Sequence, residues 1–195
     1  MGKYIQNIDK EVARWVHVWA AAALHTYEVI NSISIVDSPV EAISQKDTMS
    51  MVLVSAVRNV VRGAESLFGK DCGLVQNFNS MYPHLKKLRD VFEHYEDYVV
   101  GNGISQREGR KRNGRPLGLD VTGLEISASS GGQQGHQLYI TVIERGSDGK
   151  PKRVTYEVLS KAIALAACRL ARDVIDAVGM LDERHLSKCS ICSKT

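Results

Sequence analysis

Apolar residues recur at steps of three and four over most of this chain, the spacing that lines one face of an α-helix. From Asp9 to Ser32 the stripe Val12, Trp15, Val16, Trp19, Ala23, Tyr27 and Ile30 predicts a first helix. Ser38-Pro39 marks a loop after it. A second helix is expected from Asp47 to Phe68, with the stripe Met49, Leu53, Ala56, Val60, Ala64 and Leu67. Asp47 or Thr48 is placed to cap it and Gly69 to stop it. Gly63 falls inside this helix, at a cost of about 1 kcal/mol against Ala, and so points to close packing with another element. The stretch GKDCGLVQNFNSMYP reads as a loop, with at most one short turn. Pro83 suits the first turn of a third helix, because a proline lacks only an N–H that is unpaired there anyway. That helix runs to near Gly101, with Leu85, Leu88, Phe92, Tyr95 and Val99 as its stripe.

The period then changes. LDVTGLEIS, QLYITVIE and KRVTY alternate in the manner of strands, separated by the turn-rich SSGGQQG and GSDGKP. A last helix is expected from Val158 to Arg184, with Leu159, Ile163, Ala166, Leu170, Val174, Ala177 and Leu181 facing inward. The fold class expected is therefore mainly α, a bundle of about four long helices with a small three-stranded antiparallel β-meander inserted before the last helix. One domain covers residues 1–195, with a basic loop at 102–118, the β insertion at 119–156 and a frayed tail at 185–195.

Charge adds little at the level of the whole chain. A net charge of +3 does not by itself call for a nucleic acid. No apolar signal core opens the sequence, and WVHVWAAAALHTY is short for a membrane span and carries two histidines. These features predict a cytoplasmic protein with no membrane association and with Cys72, Cys168, Cys189 and Cys192 reduced.

The most polar part of a predicted helix is LRDVFEHYEDY, residues 88–98. At about 100° per residue, Asp90, His94 and Asp97 fall opposite the apolar stripe, with Glu93 beside them and Arg89 on the flank. His94 is thus not a core histidine. Spacing alone leaves two readings, a solvated acidic face or a composite site.

An Arg, a polar residue, three more residues and then a His, late in a helical bundle, resembles the R-x4-H signature of the HEPN superfamily. The residues that carry the resemblance are Arg89, Asp90 and His94, and the string EHYEDYVVGNG with a small β insertion behind it is similar to bacterial HEPN-like proteins. The resemblance implies a bundle of four or five helices, a homodimer lining one cleft with two copies of the motif, and metal-independent cleavage of RNA without a cofactor. It implies a defence or toxin–antitoxin setting, with an antitoxin or nucleotidyltransferase as partner. Mapped onto this chain, Arg89 would hold phosphate oxygens in its fork, His94 would move the proton of the attacking 2′-hydroxyl, and Asp90 would orient His94. Two departures stand out. Asp90 is a carboxylate where an amide is the commonest active form, and Glu93, Glu96 and Asp97 crowd the same helix, where they repel phosphate. The alternative is a non-catalytic HEPN-like dimeric module for protein interaction.

Three other features invite a role. REGRKRNGRP, which starts within a few residues of the motif helix end, carries Arg107, Arg110, Lys111, Arg112 and Arg115; it reads either as a solvated loop or as a run that offsets the acids and holds RNA phosphate. No aromatic interleaves with them, so a base-stacking platform is not expected there. CSIC at 189–192 has half of a zinc-ligand pattern without a second pair, and a tail with two free thiols is the plainer reading. His17, His25, Trp15 and Trp19 are read as packing residues of the first helix, in the core or along a dimer seam.

Overall fold

The structure, a computed structural model, describes residues 7–33, 39–99, 103, 125–129, 137–145 and 150–181. The basic residues Arg107, Arg110, Lys111, Arg112 and Arg115, the part of the LDVTGLEIS run before residue 125, and the CSIC tail lie outside these. The helices are α1 (Asn7–Ser32), α2 (Pro39–Phe68), α3 (Gly73–Met81), α4 (Leu85–Glu93), α5 (Tyr95–Val99) and α6 (Ser160–Ala177). The strands β1 (Glu125–Ser129), β2 (Gln137–Arg145) and β3 (Pro151–Leu159) precede α6.

The mainly helical class and the antiparallel sheet ahead of the last helix are as expected, but the helices divide differently. Among the described residues three helices are long, α1, α2 and α6, and the expected long third helix is two short ones, α4 and α5. The stretch read as a loop after Gly69 contains α3, whose Val75 and Phe78 are buried. Gly69 does end α2, in the left-handed region at φ 86°. α2 starts at Pro39 rather than Asp47, with the proline at the first helical position where its missing N–H is harmless. Asp47 is consequently inside the helix and caps nothing. The last helix begins at Ser160, because Val158 and Leu159 belong to β3.

α1 and α2 pack along their lengths, and α6 lies against both. The buried face of α1 is Ala13, Val16, Ala20, Ala23, Leu24, Thr26 and Ile30. Trp15, expected in the stripe, is 62% exposed, and Trp19 is exposed too. Alanines fill the inner face instead, which lets the helix axes approach. α6 answers with Ala164, Ala166, Ala167 and Ala171, and the Cys168 Sγ meets the Ala20 carbonyl at 3.9 Å. Gly63 of α2 belongs to the same close packing, since a Cβ there would fall 2.3 Å from Val16 Cγ2.

β2 and β3 form an antiparallel hairpin, with Leu138 opposite Val158 and Ile140 opposite Tyr156, and β1 pairs along the other edge of β2. These four side chains and Val142 are buried, giving the sheet one apolar face. On the opposite face Thr141 and Thr155 hydroxyls meet at 3.0 Å. The outer edge of β3 lies against α4.

Candidate functional site

α4 turns Leu85, Leu88, Val91 and Phe92 inward and leaves the motif residues on its outer flank. This is the arrangement the helical wheel predicts up to residue 93. The wheel fails at His94, where the helix ends with φ −132° and ψ 34°. The His94 N–H still donates to the Asp90 carbonyl at 3.2 Å, and the His94 carbonyl accepts from the N–H groups of Asp97 and Tyr98, opening α5. A physical reason lies in the acids. In an unbroken helix Glu96 and Asp97 would sit near the negative C-terminal end, whereas the break makes them first-turn residues of α5, where a carboxylate is favoured. Tyr98 then becomes the buried residue of α5; the side chains of Tyr95 and Val99, assigned to the stripe by sequence, lie outside the described ones.

Arg89, Asp90 and His94 thus share the last turn of α4, and each is partly open to solvent. The Arg89 guanidinium is already engaged. One of its nitrogens pairs with the Glu93 carboxylate a turn further on, and another lies 3.5 Å from Asp90 Oδ1. The Arg89 side chain is 25% exposed, so this is a surface-type cluster in which solvent screens each pair. Asp90 therefore faces Arg89, and its backbone, not its carboxylate, holds His94.

A second polar group gathers at the N-terminal end of the same helix, and no spacing in the sequence points to it. His84, just before α4, accepts the Glu157 backbone N–H through Nδ1 at 3.1 Å and packs edge-on against Tyr156, ring centres 5.5 Å apart. The Glu157 carboxylate accepts the Gln137 side-chain amide at 2.8 Å. His84, Glu157 and Gln137 line an open cleft of about 420 Å³ together with Met81, Tyr82 and Leu159. The β2–β3 pairing brings Gln137 to Glu157, and the crossing of β3 with α4 brings His84 to them; the contacts span 20 and 73 positions in sequence.

Among the described residues two carboxyls elsewhere are perturbed. Burial pushes the Asp47 carboxyl above its ordinary range, and its Oδ1 has no hydrogen-bond partner. Burial also raises Asp173, which Arg172 lowers and Asp176 raises in smaller measure. Among the described residues no three His, Cys, Asp or Glu side chains gather as a metal-binding group, and no helix is long and apolar enough to cross a membrane. Comparison of the chain with protein-family models, with curated proteins and with solved structures finds no match.

Proposed function

We propose that the chain is a HEPN-like bacterial protein acting as a metal-independent endoribonuclease of a defence or toxin–antitoxin type. The observation that carries this reading is the clustering of Arg89, Asp90 and His94 on the partly exposed last turn of one helix, with His94 at its end. His94 would exchange the proton of a ribose 2′-hydroxyl as it attacks the adjacent phosphorus, and Arg89 would bind the phosphate charge. In the single chain Arg89 is held by Glu93 and Asp90. Cleavage therefore requires that an incoming phosphate, or the motif of a second copy, draw the guanidinium from those acids. A homodimer placing two motif helices across one cleft would do this, with the basic residues from Arg107 to Arg115 as a further source of positive charge. The test is degradation of single-stranded RNA by purified wild type and by His94→Ala at equal folded concentration. Loss of cleavage in the variant, with unchanged secondary structure, supports the reading; equal cleavage defeats it.

One observation favours a second reading, a non-catalytic interaction module. Ile8, Trp15, Val18 and Trp19 leave a large apolar surface exposed on α1, and exposed apolar patches commonly mark association sites. α1 packs on α2 and α6, whereas α4 packs on α2 and β3. Association through α1 would therefore use a helix other than the one that carries the motif. Under this reading RNA is not cleaved, and Trp15→Glu abolishes association while His94→Ala leaves it intact.

A further inference from the structure

The cleft at the start of α4 offers two hydrogen-bonding groups of opposite sense. Glu157 presents a carboxylate whose Oε2 is fixed by the Gln137 amide at 2.8 Å, with no partner for Oε1 among the described residues. His84 Nδ1 lies 3.1 Å from the Glu157 N and 3.3 Å from the Glu157 carbonyl oxygen; with the nearer contact made, the N–H donating to Nδ1, a neutral imidazole carries its proton on Nε2, which has no acceptor among the described residues. Apolar surface from Met81, Pro83, Val158, Leu159 and Ala162 completes the lining, and Met81 is among the most exposed large apolar side chains described. A volume of about 420 Å³ is that of a small-ligand site, and an unbranched thioether at a rim adapts to a flat ligand.

We infer that this cleft takes a guanine base, which would make guanine the base read beside the proposed cleavage motif. The inference rests in that last clause on the ribonuclease reading; the recognition itself does not. A carboxylate accepts only, and it is satisfied best by two adjacent donors. Of the four RNA bases only guanine presents two neighbouring N–H donors, N1 and N2, on its pairing edge. Its O6 beside them accepts, as the His84 Nε2–H requires. Adenine and cytosine each set one amino donor beside a ring acceptor, and uracil flanks one donor with two acceptors, so each would turn an acceptor toward Glu157. Reading the pairing edge of an unstacked base in this way is the usual mode of single-strand RNA recognition. His84 and Arg89 are five residues apart, about 7.5 Å along the helix axis and about 140° round it, a separation that a strand of more than one nucleotide would bridge.

Guanine can arrive as a free nucleotide or within RNA, and titration calorimetry with GMP, AMP, CMP, UMP and two short uridine oligoribonucleotides, one carrying a single guanine, separates the cases. GMP is expected to bind at least tenfold tighter than the other three mononucleotides. Glu157→Gln is expected to erase that preference without moving the melting temperature, and Gln137→Leu to weaken GMP several-fold should the first variant be unstable. The guanine-containing oligonucleotide binding tighter than GMP assigns the site to RNA; equal affinity assigns it to the free nucleotide. Absence of saturable GMP binding, equal binding of all four bases, or a preference that survives Glu157→Gln overturns the inference. GMP binding without RNA cleavage would defeat the ribonuclease reading and leave the guanine site standing. His94-dependent cleavage with no guanine preference would do the reverse.

Discussion

Arg89 and Glu93 are joined by an ion pair one turn apart on α4, so the cation of the motif is neutralised by its own helix. Both side chains are partly exposed, and such pairs contribute about 0–1 kcal/mol. Glu93→Gln should therefore change the unfolding free energy by less than about 1 kcal/mol. It should at the same time raise affinity for single-stranded RNA several-fold, most visibly at low salt, where phosphate contacts are strongest. Fluorescence anisotropy across a salt series, alongside urea unfolding, checks both halves. Weaker RNA binding by the variant would count against Arg89 as a phosphate ligand.

Gly63 lies where α2 meets Val16 of α1, and an added Cβ would fall 2.3 Å from Val16 Cγ2. Alanine would gain about 1 kcal/mol in helix propensity, but valine is stiff at χ1 and cannot swing aside easily. Gly63→Ala is expected to destabilise by about 1–3 kcal/mol, as overpacked cores do. Pairing it with Val16→Ala should cost less than the sum of the two single changes. A double-mutant cycle by chemical denaturation measures that difference, and strict additivity would rule the clash out.

Asp47 titrates upward because it is partly buried without a partner at Oδ1. Its folded form thus holds a proton at pH values where the unfolded chain, near 3.8, has lost it. Between those two points the folded state binds more protons, so stability from this group is greatest below pH 3.8 and falls as pH rises through the folded value. Asp47→Asn should remove that loss. The variant should be more stable than wild type at pH 7 and differ from it much less at pH 4. Unfolding curves at both pH values decide, and a benefit as large at pH 4 as at pH 7 contradicts the assignment.

Arg58 and Glu65 form a two-bond ion pair on α2, at 3.1 and 3.2 Å, with side chains only 13% and 14% exposed. Removing one partner leaves a nearly buried charge alone, which costs up to about 3–5 kcal/mol at fully buried sites and somewhat less here. Glu65→Leu should accordingly be strongly destabilising, whereas Arg58→Met with Glu65→Leu should recover most of the loss. Thermal melts of the three variants test this, and a double variant no better than the single would mean that the pair is not the cause.

The sequence period was a reliable guide wherever one face of a helix is buried for its full length. α1, α2 and α6 are recognisable from it, and Gly63 announced a close contact that Val16 supplies. It misled where residue size mattered more than hydrophobicity. Trp15 and Trp19 match the stripe of α1, yet the close approach of α1 to α2 and α6 admits alanines and expels the indoles. It also misled at His94, because a wheel assumes an unbroken helix and charge favoured the break. Arg89, Asp90 and His94 were legible as a group since they share one turn. The cleft of His84, Gln137 and Glu157 was not, because its members come from three elements and each looks ordinary alone.

The ring of His84 also sets the accessibility of one backbone hydrogen. An edge strand normally leaves its outward N–H groups to water, yet the Glu157 amide on the outer edge of β3 is held by His84. That proton should exchange with deuterium slowly, and only when α4 lifts from the sheet. A single amide on the hairpin thereby becomes a clock for the motion of the helix that carries Arg89 and His94.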